Sequence, residues 1–253
     1  MSRDRGPDVA QAFVAIANTL VDGLDVVDLL TGLTTDCARL LDIAAAGLLL
    51  ADPNGVLHVV AASSERTRNL ELFQLQREQG PCLDCYHSGE PVSVADLSAH
   101  GTRWPLFVRA ATEAGFASIH AMPMRLRDIR LGALGLFGTT IGPLSDDDLD
   151  LGQALAHVAS IALVADMTAA DAVVIAQQLR TTLTSRIAIE QAKGLLGQLG
   201  GLDMDQSFAA IRRYARDHNQ RLTGVAEALV SRELSGAQVL AEAIGTAVVP
   251  GEW

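Results

Sequence analysis

Lysine is almost missing from this 253-residue sequence: Lys193 is the sole one, and the other 18 of its 19 basic side chains are arginines. Basic charge is also in deficit, 19 groups against 30 acidic ones for a formal net charge of -11. That balance excludes a wholly basic nucleic-acid coat protein and leaves room for a local basic patch. Cysteine is sparse and odd in number (Cys37, Cys82 and Cys85), which argues against a secreted disulfide framework and fits a reducing compartment. Apolar runs such as Ala44 to Ala51 fall short of the roughly 20 residues that a bilayer requires, so no membrane span is expected. The first ten residues carry Arg3, Asp4, Arg5 and Asp8 and no apolar stretch of a signal peptide, so the expected location is cytoplasmic. No GxxxxGK[ST], GxSxG or HExxH pattern occurs and the six histidines are scattered, so neither a cofactor nor an enzyme activity is expected. What is present is 49% hydrophobic residues, ample for the core of one large domain or two modest ones.

The first strong period is helical. Phe13, Ile16, Ala17 and Leu20, then Val26, Val27, Leu30, Leu33, Cys37, Leu40 and Leu41, recur at three- and four-residue steps. They predict two helices broken near Asp22-Gly23. Ala45 to Leu50 and Val56 to Ala61 flank Asp52-Pro53-Asn54-Gly55, a turn cluster that predicts an antiparallel hairpin. A helix through Leu70 to Gln79, a cysteine-bearing loop after Gly80-Pro81, a short strand at Pro91 to Val94 and a helix at Phe107 to Ala114 follow. Strands at Ser118 to Leu126 and Leu131 to Gly138 close the series about Arg127-Asp128-Ile129-Arg130. The expected class is α+β with an antiparallel sheet over residues 8–144.

At Leu144 the pattern changes. Ser145 followed by Asp146, Asp147 and Asp148 supplies an N-cap and an acidic first turn, which suit the positive end of a helix dipole. From Leu151 a four-three spacing runs through Leu155, Val158, Ala162, Ala165, Ala169, Ala172, Ala176, Leu179 and Leu183. It predicts a helical coiled-coil linker over 145–185, weak because its alanines bury little area. Two helices folded on each other about Asp166 to Asp171 would give the same periodicity. Three short helices follow: Ile187 to Leu199 before Gly200-Gly201, Met204 to His218 after an Asp203/Gln206 capping box, and Thr223 to Leu234. They make a bundle over 186–235, with 236–253 expected to be a frayed tail.

Charge divides along the same lines. Residues 1–185 hold 12 basic and 22 acidic groups, and residues 186–232 hold 7 and 5. On the second helix of the bundle Arg212, Arg213 and Arg216 fall within one sector about 100° wide, beside the Phe208-Ile211-Ala215 stripe. Guanidinium groups at this density suit bidentate phosphate contacts and stacking on bases. The plainer alternative is a solvated arginine face paired with Glu190 and Asp217.

The stretch Arg186-Ile187-Ala188-Ile189-Glu190-Gln191-Ala192-Lys193-Gly194-Leu195-Leu196, with Ser207 to Arg216 and then Asn219-Gln220-Arg221-Leu222 and Val225-Ala226, resembles the ANTAR family over about Thr182 to Leu234. ANTAR domains are three-helix RNA-binding modules of bacterial antiterminators. The resemblance implies that a dimer binds paired stem-loops in nascent transcripts, with Arg186, Gln191, Lys193, Gly194, Arg212, Arg213, Arg216 and Arg221 as RNA-binding residues. A helix-turn-helix regulator that binds DNA is the alternative; the link Asn219 to Leu222 lacks a central glycine, which favours RNA.

The preceding part resembles a GAF domain, through Leu29 to Leu41, Gly80-Pro81-Cys82-Leu83-Asp84-Cys85-Tyr86-His87-Ser88-Gly89-Glu90-Pro91-Val92, Met122-Pro123-Met124 and Gly132-Ala133-Leu134-Gly135-Leu136. That resemblance implies a sensory module with a six-stranded or similar antiparallel sheet and an unidentified small-molecule ligand. Cys82, Cys85 and His87 are the ligand or redox candidates. Some GAF-fold proteins reduce free methionine sulfoxide through active cysteines, so a thiol enzyme using Cys82 and Cys85 is a further alternative. A zinc site completed by His58, His100 or His120 is disfavoured, because one CxxC supplies two of the four ligands required.

Overall fold

A computed structural model of the chain describes residues 5–19, 26–52, 54–165, 187–218 and 220–244. The chain divides into two compact units, Met1–Arg180 and Thr181–Trp253.

The first unit is built on a five-stranded sheet. Helices α1 (Gly6–Thr19) and α2 (Val26–Leu40) lead into β1 (Ala45–Ala51) and β2 (Leu57–Ala62), followed by α3 (Glu65–Arg77), α4 (Pro81–Ser88), β3 (Val92–Val94), a single 3-10 turn (Leu97–His100) and α5 (Pro105–Glu113). Strands β4 (Ser118–Leu126) and β5 (Ile129–Gly138) and helix α6 (Asp146–Ala165) complete it. The strands run in the order β2-β1-β5-β4-β3, and every pairing is antiparallel. The hairpin of β1 and β2 turns where its sequence demands: Asp52 Oδ1 accepts from the N–H groups of Asn54 and Val56, and Gly55 takes φ 80°, a conformation glycine adopts without a Cβ penalty.

Both sheet faces are buried, so the strands read as nearly continuous apolar runs. One face presents Ala45, Gly47 and Leu49 of β1, Ala133, Gly135 and Phe137 of β5, and Ile119 and Ala121 of β4, aligned by strand register. It forms one core with Leu70, Cys82, Cys85, Trp104, Phe107 and Phe116 from α3, α4, α5 and their connections. The other face lies under α2 and α6; a Cβ on Gly152 of α6 would sit 3.0 Å from Leu136 of β5 and 3.5 Å from Leu41.

Two expectations change here. The cysteine-bearing segment is a helix, not a loop: Pro81 stands in its first turn, where the missing N–H costs nothing. Gly89 ends it at φ 76°, its N–H donating to Cys85 O. The early part of the expected coiled-coil seam belongs to the sheet. Leu155 and Ala162 are fully buried on a helix that packs on β4 and α2. A helix lying on a sheet produces the same four-three spacing as a coiled coil. The remainder of the seam, residues 166–185, lies outside the described residues.

The second unit holds α7 (residues 187–200), α8 (Met204–Asp217), α9 (Leu222–Val230) and α10 (Gly236–Ile244). The capping box is formed: Asp203 Oδ1 accepts from Gln206 N at 2.7 Å and Gln206 Oε1 accepts from Asp203 N at 3.1 Å. Helix α9 stops earlier than its apolar pattern suggests, because the backbone turns left-handed at Arg232, φ 64°. Helix α10 is the clear departure, since it falls in the expected tail. Its docking depends on two missing side chains: a Cβ on Gly236 would stand 2.6 Å from Leu199 Cδ1, and one on Gly200 would stand 2.8 Å from Leu240 Cδ2. Val239 is fully buried in consequence.

Candidate functional sites

The second unit sorts its basic residues into two kinds. Lys193 points inward on α7: its side chain is 3% exposed, with Nζ 3.1 Å from Glu190 Oε2 one turn before. Arg213 and Arg216 on α8 are exposed and share Asp217, whose carboxylate lies 3.5 Å and 3.8 Å from their Nε atoms. Arg212 is half-buried, Gln191 is exposed, and Arg221 is exposed where α9 begins. Gly194 is half-buried, and beyond its own stretch of helix backbone nothing lies within 4 Å of where a Cβ would stand. Arg186 lies outside the described residues. The structure thus gathers Arg213 and Arg216 around one carboxylate and places Lys193 in the interior. The plainer reading of the arginine face is right about Asp217.

Beside the arginines, α8 carries a second cluster. The Tyr214 ring is stacked on His218 with centroids 4.1 Å apart. Gln238 Nε2 of α10 donates to the Tyr214 hydroxyl at 3.2 Å, and His218 Nε2 is 2.6 Å from Glu242 Oε2. These contacts, with Val239, tie α10 to α8.

In the first unit Cys82 and Cys85 are on α4, both fully buried and both free thiols. Cys85 Sγ donates to Ala121 O at 3.4 Å. Cys82 Sγ donates to Glu71 Oε1 at 3.6 Å, and Cys82 N donates to Gln74 Oε1 at 3.2 Å. Burial pushes the Cys85 thiol up to about 12, with Glu90 adding to the effect. Burial, then the Glu71 carboxyl, push Cys82 well above its ordinary value. The thiolate is the nucleophile, so this environment holds both groups in the unreactive form. His87 does not join them: it is exposed, and its carbonyl oxygen accepts from Arg130 Nη1.

The other histidines stand elsewhere. His58 is 3.4 Å from Asp52, His100 is stacked on Trp104, and His120 is buried on the opposite sheet face from the cysteines, where desolvation lowers its pKa. Among the described residues no three His, Cys, Asp or Glu side chains are placed to hold a metal ion.

The residues that sequence reasoning passed over are Glu71 and Gln74. Both are fully buried on α3, and Gln74 Nε2 donates to Glu71 Oε2 at 2.7 Å. Burial pushes the Glu71 carboxyl up to about 8, against the pull of its hydrogen bonds from Cys82 and Gln74. The signal open to a reader of the sequence was indirect: Gly47 and Gly135 in otherwise apolar strands mark a close approach of something to the sheet.

A sheet covered by helices on both faces, followed along the chain by an all-helical unit with exposed arginines, defines a two-domain protein of α+β and all-α parts. The chain belongs to the GAF domain family, whose profile matches residues 23–164, and the ANTAR domain profile matches residues 177–230. The first match runs through α6 almost to its end; the second stops at the end of α9, before α10. No curated protein sequence matches the chain.

Among solved structures, the chain is similar to the GAF domain of an Acinetobacter phosphoenolpyruvate-protein phosphotransferase, with 13% identity, TM-score 0.50, and 68% of this chain and 99% of that one covered. It is also similar to the corresponding domain from Coxiella burnetii, with 13% identity, TM-score 0.48 and coverage of 62% and 93%. A free methionine-R-sulfoxide reductase from Neisseria meningitidis aligns at 16% identity, TM-score 0.46 and coverage of 64% and 92%. The first of these likenesses, at 13% identity, shows the fold alone. GAF domains sense signals and ANTAR domains bind RNA in antitermination, so the architecture is that of a regulator. Among the described residues no helix is long and apolar enough to cross a membrane.

Proposed function

We propose that the protein is a signal-responsive transcription antitermination regulator of the cytoplasm. In this reading its ANTAR bundle holds RNA stem-loops of nascent transcripts, and its GAF domain, through a small ligand or another signal, sets when it does so. The observation that carries the reading is the match of the ANTAR profile to helices whose basic groups Arg213, Arg216 and Arg221 face solvent. Asp217 occupies two of these guanidinium groups in the free protein. Ion pairs this exposed contribute about 0–1 kcal/mol each, so a phosphate displaces the carboxylate at little cost and gains a charge-assisted, bidentate contact. Homodimerisation would place two bundles on paired hairpins. The second contact then becomes intramolecular and strengthens the whole without any new interaction.

The test is a comparison of hairpin RNA with duplex DNA of the same sequence, measured by fluorescence anisotropy over a range of salt. Wild-type protein should prefer the hairpin, and Arg213→Ala should weaken binding and flatten the logarithmic salt dependence by about one unit per lost phosphate contact. Asp217→Asn should strengthen it. Equal affinity for duplex DNA, or wild-type affinity in an Arg213→Ala/Arg216→Ala double variant, would sink the assignment.

A further inference from the structure

Helix α3 carries Glu71 into the apolar core, and no cation among the described residues pairs with it. Its side chain is fully buried, and its carboxyl closes a ring of hydrogen bonds between two helices. Gln74 Nε2 donates to Oε2 at 2.7 Å, the Cys82 thiol donates to Oε1 at 3.6 Å, and Cys82 N donates to Gln74 Oε1 at 3.2 Å. The sheet is shaped to receive it. Gly47 and Gly135 are register partners on β1 and β5. A Cβ on Gly47 would stand 2.7 Å from Glu71 Oε1, and one on Gly135 would stand 2.8 Å from that oxygen and 2.9 Å from Cys82 Sγ.

The charged groups on the surrounding elements are committed elsewhere. On α3 itself Arg66 lies over Phe116, Arg77 over Phe73, and Arg68 pairs with Glu65; Glu78, just past the helix, forms its left-handed C-cap. On α4, Asp84 is held by Arg103. On α5, Arg109 and Glu113 pair with each other in solvent. Strand β1 has no charged residue, β2 has His58 against Asp52 at the hairpin end, and β5 has Arg130 on the His87 carbonyl. The titratable groups that bear on Glu71 are therefore Cys82 and, through it, Cys85. A buried carboxylate is tolerated when a cation or several N–H donors compensate it; Glu71 has one amide N–H and one thiol.

We propose that Glu71 is a proton-binding site through which the GAF domain reads pH, with the proton itself as ligand. With the proton bound, the neutral acid fits the two-glycine dimple and ties α3 to α4. When the proton leaves to solvent, an uncompensated negative charge remains between Gly47, Gly135 and Cys82. The two helices then have to move off the sheet to admit water or a cation. Because burial holds this carboxyl up to about 8, the change falls within the range that cytoplasm can reach. That the change is passed on to RNA binding rests on the proposed function.

The test is a titration of the full chain labelled with carboxyl-13C glutamate, followed by NMR between about pH 5 and pH 9, with Glu71→Gln to assign the resonance. The Glu71 carboxyl should ionise several pH units above the other glutamates, and the Gly47 and Gly135 amides should shift in step. Cys82→Ala, which removes a donor to the carboxylate, should move the midpoint upward and serves as a second assignment should the glutamine variant fail to fold. A Glu71 resonance already ionised near pH 5 would overturn the site. Hairpin affinity should change by about threefold or more across the same transition in wild type and stay flat in Glu71→Gln. Titration with unchanged affinity would overturn the sensory role, while a chain that binds no RNA at any pH would overturn the proposed function and leave the carboxyl titration to judge the site.

Discussion

Lys193 Nζ lies 3.1 Å from Glu190 Oε2, and the chain's single lysine ammonium is thereby enclosed by its own bundle. Helix α7 places the two residues three positions apart on one face, where side chains of opposite charge meet. A group so placed acts first on folding. Lys193→Met should lower the stability of the helical unit by about 1–3 kcal/mol, less than the full cost of breaking a buried pair because Glu190 keeps some contact with water. Chemical denaturation followed by circular dichroism measures it. If instead the variant keeps wild-type stability and loses one unit of salt dependence in RNA binding, the lysine reaches a phosphate after all.

Two glycines should respond in opposite directions to the same substitution. Gly135→Ala sets a methyl group 2.8 Å from Glu71 Oε1 and 2.9 Å from Cys82 Sγ, and overpacking of this kind costs about 1–3 kcal/mol. Gly194→Ala meets nothing within 4 Å beyond its own stretch of helix backbone, so it should stabilise by about 0.5–1 kcal/mol. Thermal melts of both variants settle the directions. Lost RNA affinity in the stabilised Gly194→Ala protein would show that the glycine serves close approach of the nucleic acid.

The contribution of Glu71 to stability should fall as pH rises from about 4.5 towards about 8. In that window the folded protein keeps the Glu71 proton while the unfolded chain has released it, so raising the pH favours unfolding. Below the window both states are protonated and the contribution is fully present; above it both are ionised and the slope ends. One proton corresponds to about 1.4 kcal/mol per pH unit. Glu71→Gln should remove this contribution from a denaturation series taken across the window.

Neither Cys82 nor Cys85 should react in the folded state. Iodoacetamide at neutral pH, followed by mass spectrometry, should modify both only after denaturation, since each thiol is buried and held protonated. Rapid labelling of Cys82 in native protein would reopen the thiol-enzyme alternative.

Much of this architecture was legible because its signals are local. The Asp52 to Gly55 turn and the Asp203/Gln206 capping box each specify backbone hydrogen bonds within a few residues, and both formed as their spacing suggested. Helix α4 was also written locally, as a proline in the first turn and a glycine after the last, but the same residues mark loops. The four-three spacing before residue 165 records burial without naming the burying partner, so it could not distinguish a sheet from a second helix. The interior of the candidate sites was legible only indirectly. A buried Glu71 depends on glycines at 47 and 135, far apart in sequence and brought together by strand register. The inward turn of Lys193 likewise depends on how α7 meets its neighbours, whereas a charged residue read in isolation is assigned to solvent.

Helix α10 separates the boundary of the family match from the boundary of the folded unit. A fragment trimmed to residue 230, where the match ends, would strip Val239 and Leu240 from the bundle and remove the Gln238 and Glu242 contacts to Tyr214 and His218. Apolar surface on α7 would then face water, and such a fragment invites aggregation for reasons unrelated to RNA. An isolated RNA-binding piece suited to biophysical work has to run at least to Ile244.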